Sequence, residues 1–221
     1  KQLFKILELL KFKVAKKSYH LSYGLVNLPS GRMKSREGNV VDADDVIEDV
    51  TNLAKSELKK RKSKTIDEKA RKIGLAALKF FMLKFDNNTS FTYNHEQALS
   101  FEGETGPYCQ YTYARINSIL KKHKGKIPLR VSITTKEEKN IVMLLYKYPK
   151  ILKESAESYK PHILARYLIN LCQSFNEFYH QHTILKAEKD IRISRLNLAL
   201  ATSIIIKNAL NLLGIETLES M

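Results

Sequence analysis

The sequence predicts a mainly α-helical fold: a helical bundle preceded by a smaller portion that carries a little β-structure. Three observations predict it. From Thr134 onward, apolar residues return at three- and four-residue intervals with few breaks. In mid-chain, FEGETGPYCQYTYAR (residues 101–115) gathers glycine, threonine and proline and then turns helical and aromatic. Only YHLSYGLVNL (residues 19–28) and residues 90–93 read like strands.

The elements follow in order. Leu3, Phe4, Ile6, Leu7, Leu10 and Val14 give residues 1–17 an apolar side, with lysines opposite. The β-like run at 19–28 ends in the turn signal Pro29, Ser30, Gly31. Residues 31–39, GRMKSREGN, place three cationic side chains among glycines and predict an irregular loop: a solvated hairpin, or a clamp for phosphates. A helix opens in residues 41–50, where Asp42, Asp44 and Asp45 suit its positive end. A calcium loop does not fit, because that pattern's glycine and terminal glutamate are missing. The helix continues through Leu53 and Leu58 into KKRKSK (59–64), a solvated face or a contact for RNA backbone.

Residues 66–85 form a strong helix with Ile73, Ala76, Ala77, Phe80, Phe81 and Leu83 on its apolar side, stopped by Asp86, Asn87 and Asn88. The helix that begins in the glycine-rich stretch reaches about Lys124. Ile141, Leu144, Leu145 and Tyr148 make the next stripe, which Pro149 is expected to end, with a shorter helix over 151–159. Pro161 opens a long helix bearing Leu164, Tyr167, Leu168, Leu171, Phe175, Phe178 and Tyr179. The last runs over 187–213, with Gly214 as its C-cap.

Lysine and arginine number 38 against 23 acids, a formal charge of +15. That surplus fits a polyanion such as nucleic acid, although an indifferent basic surface gives the same count. The 221 residues, 43% hydrophobic, suffice for one large or two small domains. No apolar run reaches the ~20 residues needed to cross a bilayer, and no signal peptide is visible. With Lys1 in place of a methionine, the chain reads as a piece of something longer. Cys109 and Cys172 fall in predicted helices and read as packed small residues; they do not make a zinc site by themselves, and a disulfide is not expected. His180 and His182, two apart, face different ways on a helix, so no metal site is assigned. No Walker loop, metalloprotease helix or nucleophile elbow occurs, and no complete active site is present.

The glycine-rich stretch carries the most chemistry. Thr105 or Gly106 is placed to cap a helix, and Pro107 suits its first turn. Tyr108, Thr112, Arg115 and Ile119 then share one side, with Tyr111 beside them. An arginine among tyrosines either braces the edge of a core or stacks on unpaired bases while gripping phosphate. Asn176, between Phe175 and Phe178, reads as structural.

Four segments in order resemble one family. GLVNLPSGRMKSREGNVV (24–41) resembles the strand and KMSKS-type loop of arginyl-tRNA synthetases. FEGETGPYCQYTYARINSIL (101–120) is similar to their F-E-G-x-T-G-P-Y-x-Q-Y-x-x-x-R signature. YLINLCQSFNEFYH (167–180) and RLNLALATSIIIKNALNLLGIETLESM (195–221) resemble the two closing helices and the terminal methionine.

The resemblance implies residues 1–95 as the end of a class I catalytic domain, with the KMSKS-type loop at 31–39, and residues 96–221 as a helical anticodon-binding domain of the DALR type. The implied chemistry is ATP-dependent attachment of arginine to tRNA(Arg). Arg32, Lys34, Ser35 and Arg36 would meet the ATP phosphates, and Ser35 departs from the family by standing where a second lysine is usual. Tyr108, Tyr111, Arg115, Tyr179 and Met221 would meet the anticodon region. ATP with Mg2+ would be a substrate of the full-length enzyme, with nothing tightly held by this part. The resemblance further implies a cytoplasmic monomer without membrane contact. Because the HIGH-type motif is absent, the chain alone is expected to be inactive. A free-standing RNA-binding module without ligase activity is the alternative.

Overall fold

The structure, a computed structural model, describes residues 2–27, 29, 42–60 and 66–221. Among them run α1 (Gln2–Leu9), a 3-10 helix (Lys13–Lys17), β1 (Val26–Asn27), α2 (Ala43–Lys60), α3 (Ile66–Leu83), β2 (Phe91–Thr92), α4 (His95–Leu99), α5 (Gly106–Lys122), α6 (Lys136–Glu157), α7 (Pro161–Gln181) and α8 (Lys189–Leu212). The expected mainly α fold is present.

The β-structure is smaller than the sequence suggests. Of residues 19–27, only Val26 and Asn27 join a ladder, pairing in parallel with Phe91 and Thr92. The chain before them is held by single bonds, such as the Gly24 N–H to the Asn87 carbonyl at 2.7 Å. The first predicted helix is also interrupted. Lys11 takes φ +57, and α1 buries no residue.

Helix α3 organises the rest because it is apolar on two sides. Ala76 and Phe80 pack with α5, α6, α7 and α8. Ile73, Ala77 and Phe81, one position round the helix, pack with α2, α4, Tyr93 and Leu218. One helix thus belongs to both cores.

The start of α5 is locally determined. The Thr105 hydroxyl accepts the Tyr108 N–H at 3.1 Å and donates to the Ser100 carbonyl. Gly106 is required by proximity rather than by torsion. A Cβ there would lie 2.3 Å from the Ala76 carbonyl oxygen of α3, whereas Gly103, at φ +83, has open space around it. Gly106→Ala is therefore expected to destabilise the fold by about 3 kcal/mol, because backbone must part from backbone. Gly103→Ala should cost only about 1–2 kcal/mol, for its left-handed backbone. Urea unfolding of the two variants checks the order.

Pro149 does not end its helix: α6 runs through it to Glu157. A proline leaves the carbonyl four residues back without its donor and pushes the preceding turn open. Next to that site, the Leu144 carbonyl accepts the Tyr167 hydroxyl of α7 at 3.0 Å. Packing along α7 carries the helix on through a residue that local rules would use as a stop. The helix ends later, where Tyr159 takes φ +56 and the Lys160 N–H reaches the Ser155 carbonyl at 3.0 Å. Helix α8 ends as expected, with Gly214 at φ +70 and the Ile215 N–H on the Leu210 carbonyl at 2.9 Å.

Candidate nucleic-acid interface

Helices α5 and α7 bring four of the expected RNA-contacting residues together. The Arg115 guanidinium lies 4.7 Å from the centre of the Tyr111 ring and 5.1 Å from that of Tyr179. It also donates to the Asn176 side-chain oxygen at 2.5 Å. A guanidinium has no acceptor, so the Asn176 oxygen must face it and the amide nitrogen must face away. That nitrogen donates to the Tyr108 hydroxyl at 2.8 Å and to the Thr112 hydroxyl at 3.0 Å. Asn176 is buried. Its structural role is therefore specific: one side chain sets the positions of Arg115 and the Tyr108 ring.

Tyr111 is half-buried and Tyr179 is 38% exposed, so both rings meet solvent rather than lying sealed in the core. Tyr108 is half-buried. Burial pushes its hydroxyl pKa up, and the Asn176 bond only partly opposes this.

The rings open on a cleft of about 500 Å³, lined among others by Tyr111, Arg115, Lys122, Tyr179, Lys186 and Met221. None of Arg115, Lys122 and Lys186 forms an ion pair among the described residues. A wider cleft of about 1000 Å³ adjoins it, sharing Tyr111, Arg115 and His180 and adding Tyr108 and Asn176. Its far wall carries Glu57, Glu96, Glu102 and Lys60, the lysine paired to Glu57 at 2.5 Å. The first cleft is cationic and the second is mixed.

The chain end is strapped down so that Met221 reaches the first cleft. The Gln110 amide donates to the Glu216 carbonyl at 2.7 Å, and Lys79 donates to the Gly214 carbonyl at 2.5 Å. Lys121 pairs with Glu219 at 3.0 Å. Ile215 enters one core and Leu218 the other.

Arg32, Lys34, Ser35 and Arg36 lie outside the described residues, as does most of the KKRKSK cluster. His182 bonds Glu137 at 2.9 Å, which holds that carboxyl below its usual range, while His180 stays exposed on the cleft wall. Cys109 and Cys172 are buried and free, and burial pushes the Cys109 thiol well above its usual pKa. Such a thiol is inert. No group of three or more potential metal ligands is found, and no helix is long and apolar enough to cross a membrane, among the described residues. The sequence reading overlooked Lys122 and Lys186. Lys122 was legible, two turns after Arg115 on the same side of α5; Lys186, in an irregular connection, carried no periodic signal.

Residues 109–221 match the family described as the DALR anticodon binding domain, and this span includes the ring-and-guanidinium cluster. The chain belongs to that family. Its likeness along nearly its whole length is to arginyl-tRNA synthetases, in the C-terminal part that carries the DALR domain. It is 43% identical over 229 residues to an arginine–tRNA ligase of Flavobacterium psychrophilum, covering 99% of this chain and 38% of that protein. The ligase of Parabacteroides distasonis is 40% identical over 230 residues, covering 98% and 38%. Among solved structures, the arginyl-tRNA synthetase of Thermus thermophilus matches with a TM-score of 0.88 at 33% identity, covering 97% of this chain and 38% of that one. The chain therefore spans little more than a third of the length of these relatives.

Proposed function

We propose that this DALR domain holds the anticodon region of tRNA(Arg) as part of an arginine–tRNA ligase. Unpaired bases stack on Tyr111 and Tyr179, and Arg115 supplies the cation between them. The observation that carries the reading is that guanidinium, set between two solvent-reached rings and facing a cleft with two further cations that form no ion pair among the described residues. Stacking of a base on an aromatic face contributes ~1–3 kcal/mol and tolerates sequence, while neighbouring cations meet phosphate. Tyr108 and Met221 bound the same space.

In the same proposal Arg32, Lys34 and Arg36, with Ser35 among them, face the ATP phosphates and offset charge as pyrophosphate leaves. ATP, its Mg2+ and arginine bind with the remainder of the enzyme. Leu3, Ile6, Leu9, Leu10, Phe12 and Tyr23 are all exposed, apolar side chains of the kind that pack against further protein.

The test is a filter-binding titration of the chain with tRNA(Arg) and with the same tRNA carrying a replaced anticodon loop. Tyr111→Ala should weaken binding of the first by roughly ten-fold, the low-to-middle range for one stacked base, and leave the already weak second almost unchanged. Equal affinity of the native chain for both RNAs would rule the reading out.

A further inference from the structure

A third cleft, of about 350 Å³, lies between the end of α3, the loop before α5 and the first half of α7. Lys84, Arg166 and Asn170 line it, Ala165 and Ile169 form an apolar wall, and Glu104 sits at the rim. The Lys84 ammonium is set 4.7 Å from the Phe81 ring and 5.4 Å from the Phe85 ring, and its only hydrogen bond among the described residues is a long one, 3.3 Å, to the Glu104 carbonyl. Burial pushes its pKa down, and the Glu104 charge opposes this. Among the described residues neither Lys84 nor Arg166 forms an ion pair, and the Asn170 amide has no hydrogen-bond partner. Two cations without an ion pair among the described residues, and a spare amide, thus line one small cavity. An oxyanion there would pair with both cations and restore the solvation that Lys84 has lost.

We propose that Lys84, Arg166 and Asn170 form a phosphate site for the backbone of the same RNA whose loop the tyrosine–arginine cleft receives. The proposal rests on the anticodon reading. A guanidinium fork, an ammonium and an amide match phosphate oxygens. The position selects RNA over a free phosphate. Arg166, Asn170, Gln173, Glu177 and His180 recur at i, i+4, i+7, i+11 and i+14 along α7, and all five are exposed. This stripe leads from the third cleft to His180 on the wall of the first. Its one carboxylate, Glu177, accepts from Gln181 at 3.4 Å. Fourteen residues of helix measure about 21 Å, which sets this cleft well away from the rings that receive the unpaired bases. In this proposal its phosphate belongs to the stem beside the loop.

The test uses Lys84→Met and Arg166→Gln in the full chain, titrated with tRNA(Arg) at several salt concentrations, with Lys84→Arg retaining the charge. Each neutral variant should bind roughly 10-fold more weakly, the lower end for one charge-assisted bond. Each should also make the slope of log affinity against log salt shallower by about one. The loss should be the same for a tRNA with a replaced anticodon loop, and Lys84→Arg should restore most of it. A second measurement follows acylation of Lys84 by an amine-reactive reagent, read by mass spectrometry: tRNA should protect it. Protection by inorganic pyrophosphate but not by tRNA would assign the cleft to a free ligand and overturn the proposal. Unchanged affinity and salt slope in both neutral variants, with Tyr111→Ala still weakened, would overturn it and leave the anticodon reading standing. If Tyr111→Ala were unaffected as well, both would fall.

Discussion

Arg115→Ala is expected to weaken tRNA(Arg) binding by about 2–3 kcal/mol, roughly 30- to 150-fold, the largest single loss of affinity in the molecule. Three effects coincide at this residue. The cation is lost, two rings lose the group that spaces them, and the buried Asn176 oxygen loses its donor. Arg115→Lys should recover little. An ammonium is a point charge and does not present a planar fork to both rings and the amide at once. Asn176→Ala separates positioning from contact, since Asn176 is buried and bonds three members of the site. It should weaken tRNA binding by about 1 kcal/mol, through Arg115 and Tyr108 left unanchored. It should also lower stability by about 1–3 kcal/mol, because buried hydroxyls lose a partner. Arg115, half-exposed, should cost less stability than Asn176 while costing more affinity. The paired readouts are a binding titration and a urea melt. If Arg115→Ala bound tRNA like the native chain, the guanidinium would be a brace for the core edge and the cleft would have to be reassigned.

Which parts of the fold were legible follows from how far the determining interactions reach along the chain. The start of α5 was legible because its cap, Thr105, and its proline lie within three residues of the first turn. The start of α7 at Pro161 and the end of α8 at Gly214 were legible for the same reason. Pro149 misled because the interactions that carry α6 through it come from α7, eighteen residues away at Tyr167. The β-like run misled because a strand needs a partner, and among the described residues only Phe91 and Thr92 pair with it. The five-residue helix α4 was missed because it is too short for periodicity to register; its Asn94 cap, bonded to the Gln97 N–H at 2.9 Å, was the available signal. In the site, Tyr111 and Arg115 could be placed on one helix from spacing. The link to Asn176 could not, since it joins positions 61 residues apart through the orientation of one amide.

Arg195→Met is expected to destabilise the fold by about 3–5 kcal/mol, because it strips a buried carboxylate of its cation. Arg195 is 8% exposed and Glu138 2%. The Arg195 Nε donates to Glu138 at 2.7 Å, and its terminal nitrogen donates to the Thr183 carbonyl at 2.7 Å. Glu138 also receives the Thr134 N–H at 2.7 Å and the Thr135 N–H at 3.2 Å, and its own N–H returns a bond to the Thr135 hydroxyl at 3.2 Å. Burial by itself would raise the Glu138 pKa, but the Thr134 and Arg195 bonds outweigh it and leave the group below its ordinary 4.5. A carboxyl depressed in the folded state contributes stability above about pH 4.5 and loses it as pH falls through the folded value. Removing Arg195 raises the folded value, so the stability gap between native chain and variant should be widest near neutral pH and narrow on acidification. A double variant, Glu138→Leu with Arg195→Met, should regain part of the loss, since an apolar pair can replace a buried ion pair, while still lacking the cap on α6. Urea melts at neutral pH and near pH 4 check all three statements. A neutral-pH cost below about 1 kcal/mol, typical of an exposed pair, would mean that water reaches the carboxylate. Because Arg195 also fixes Thr183 on the cleft wall beside Lys186, the same variant should weaken tRNA binding at temperatures where the bundle is still folded.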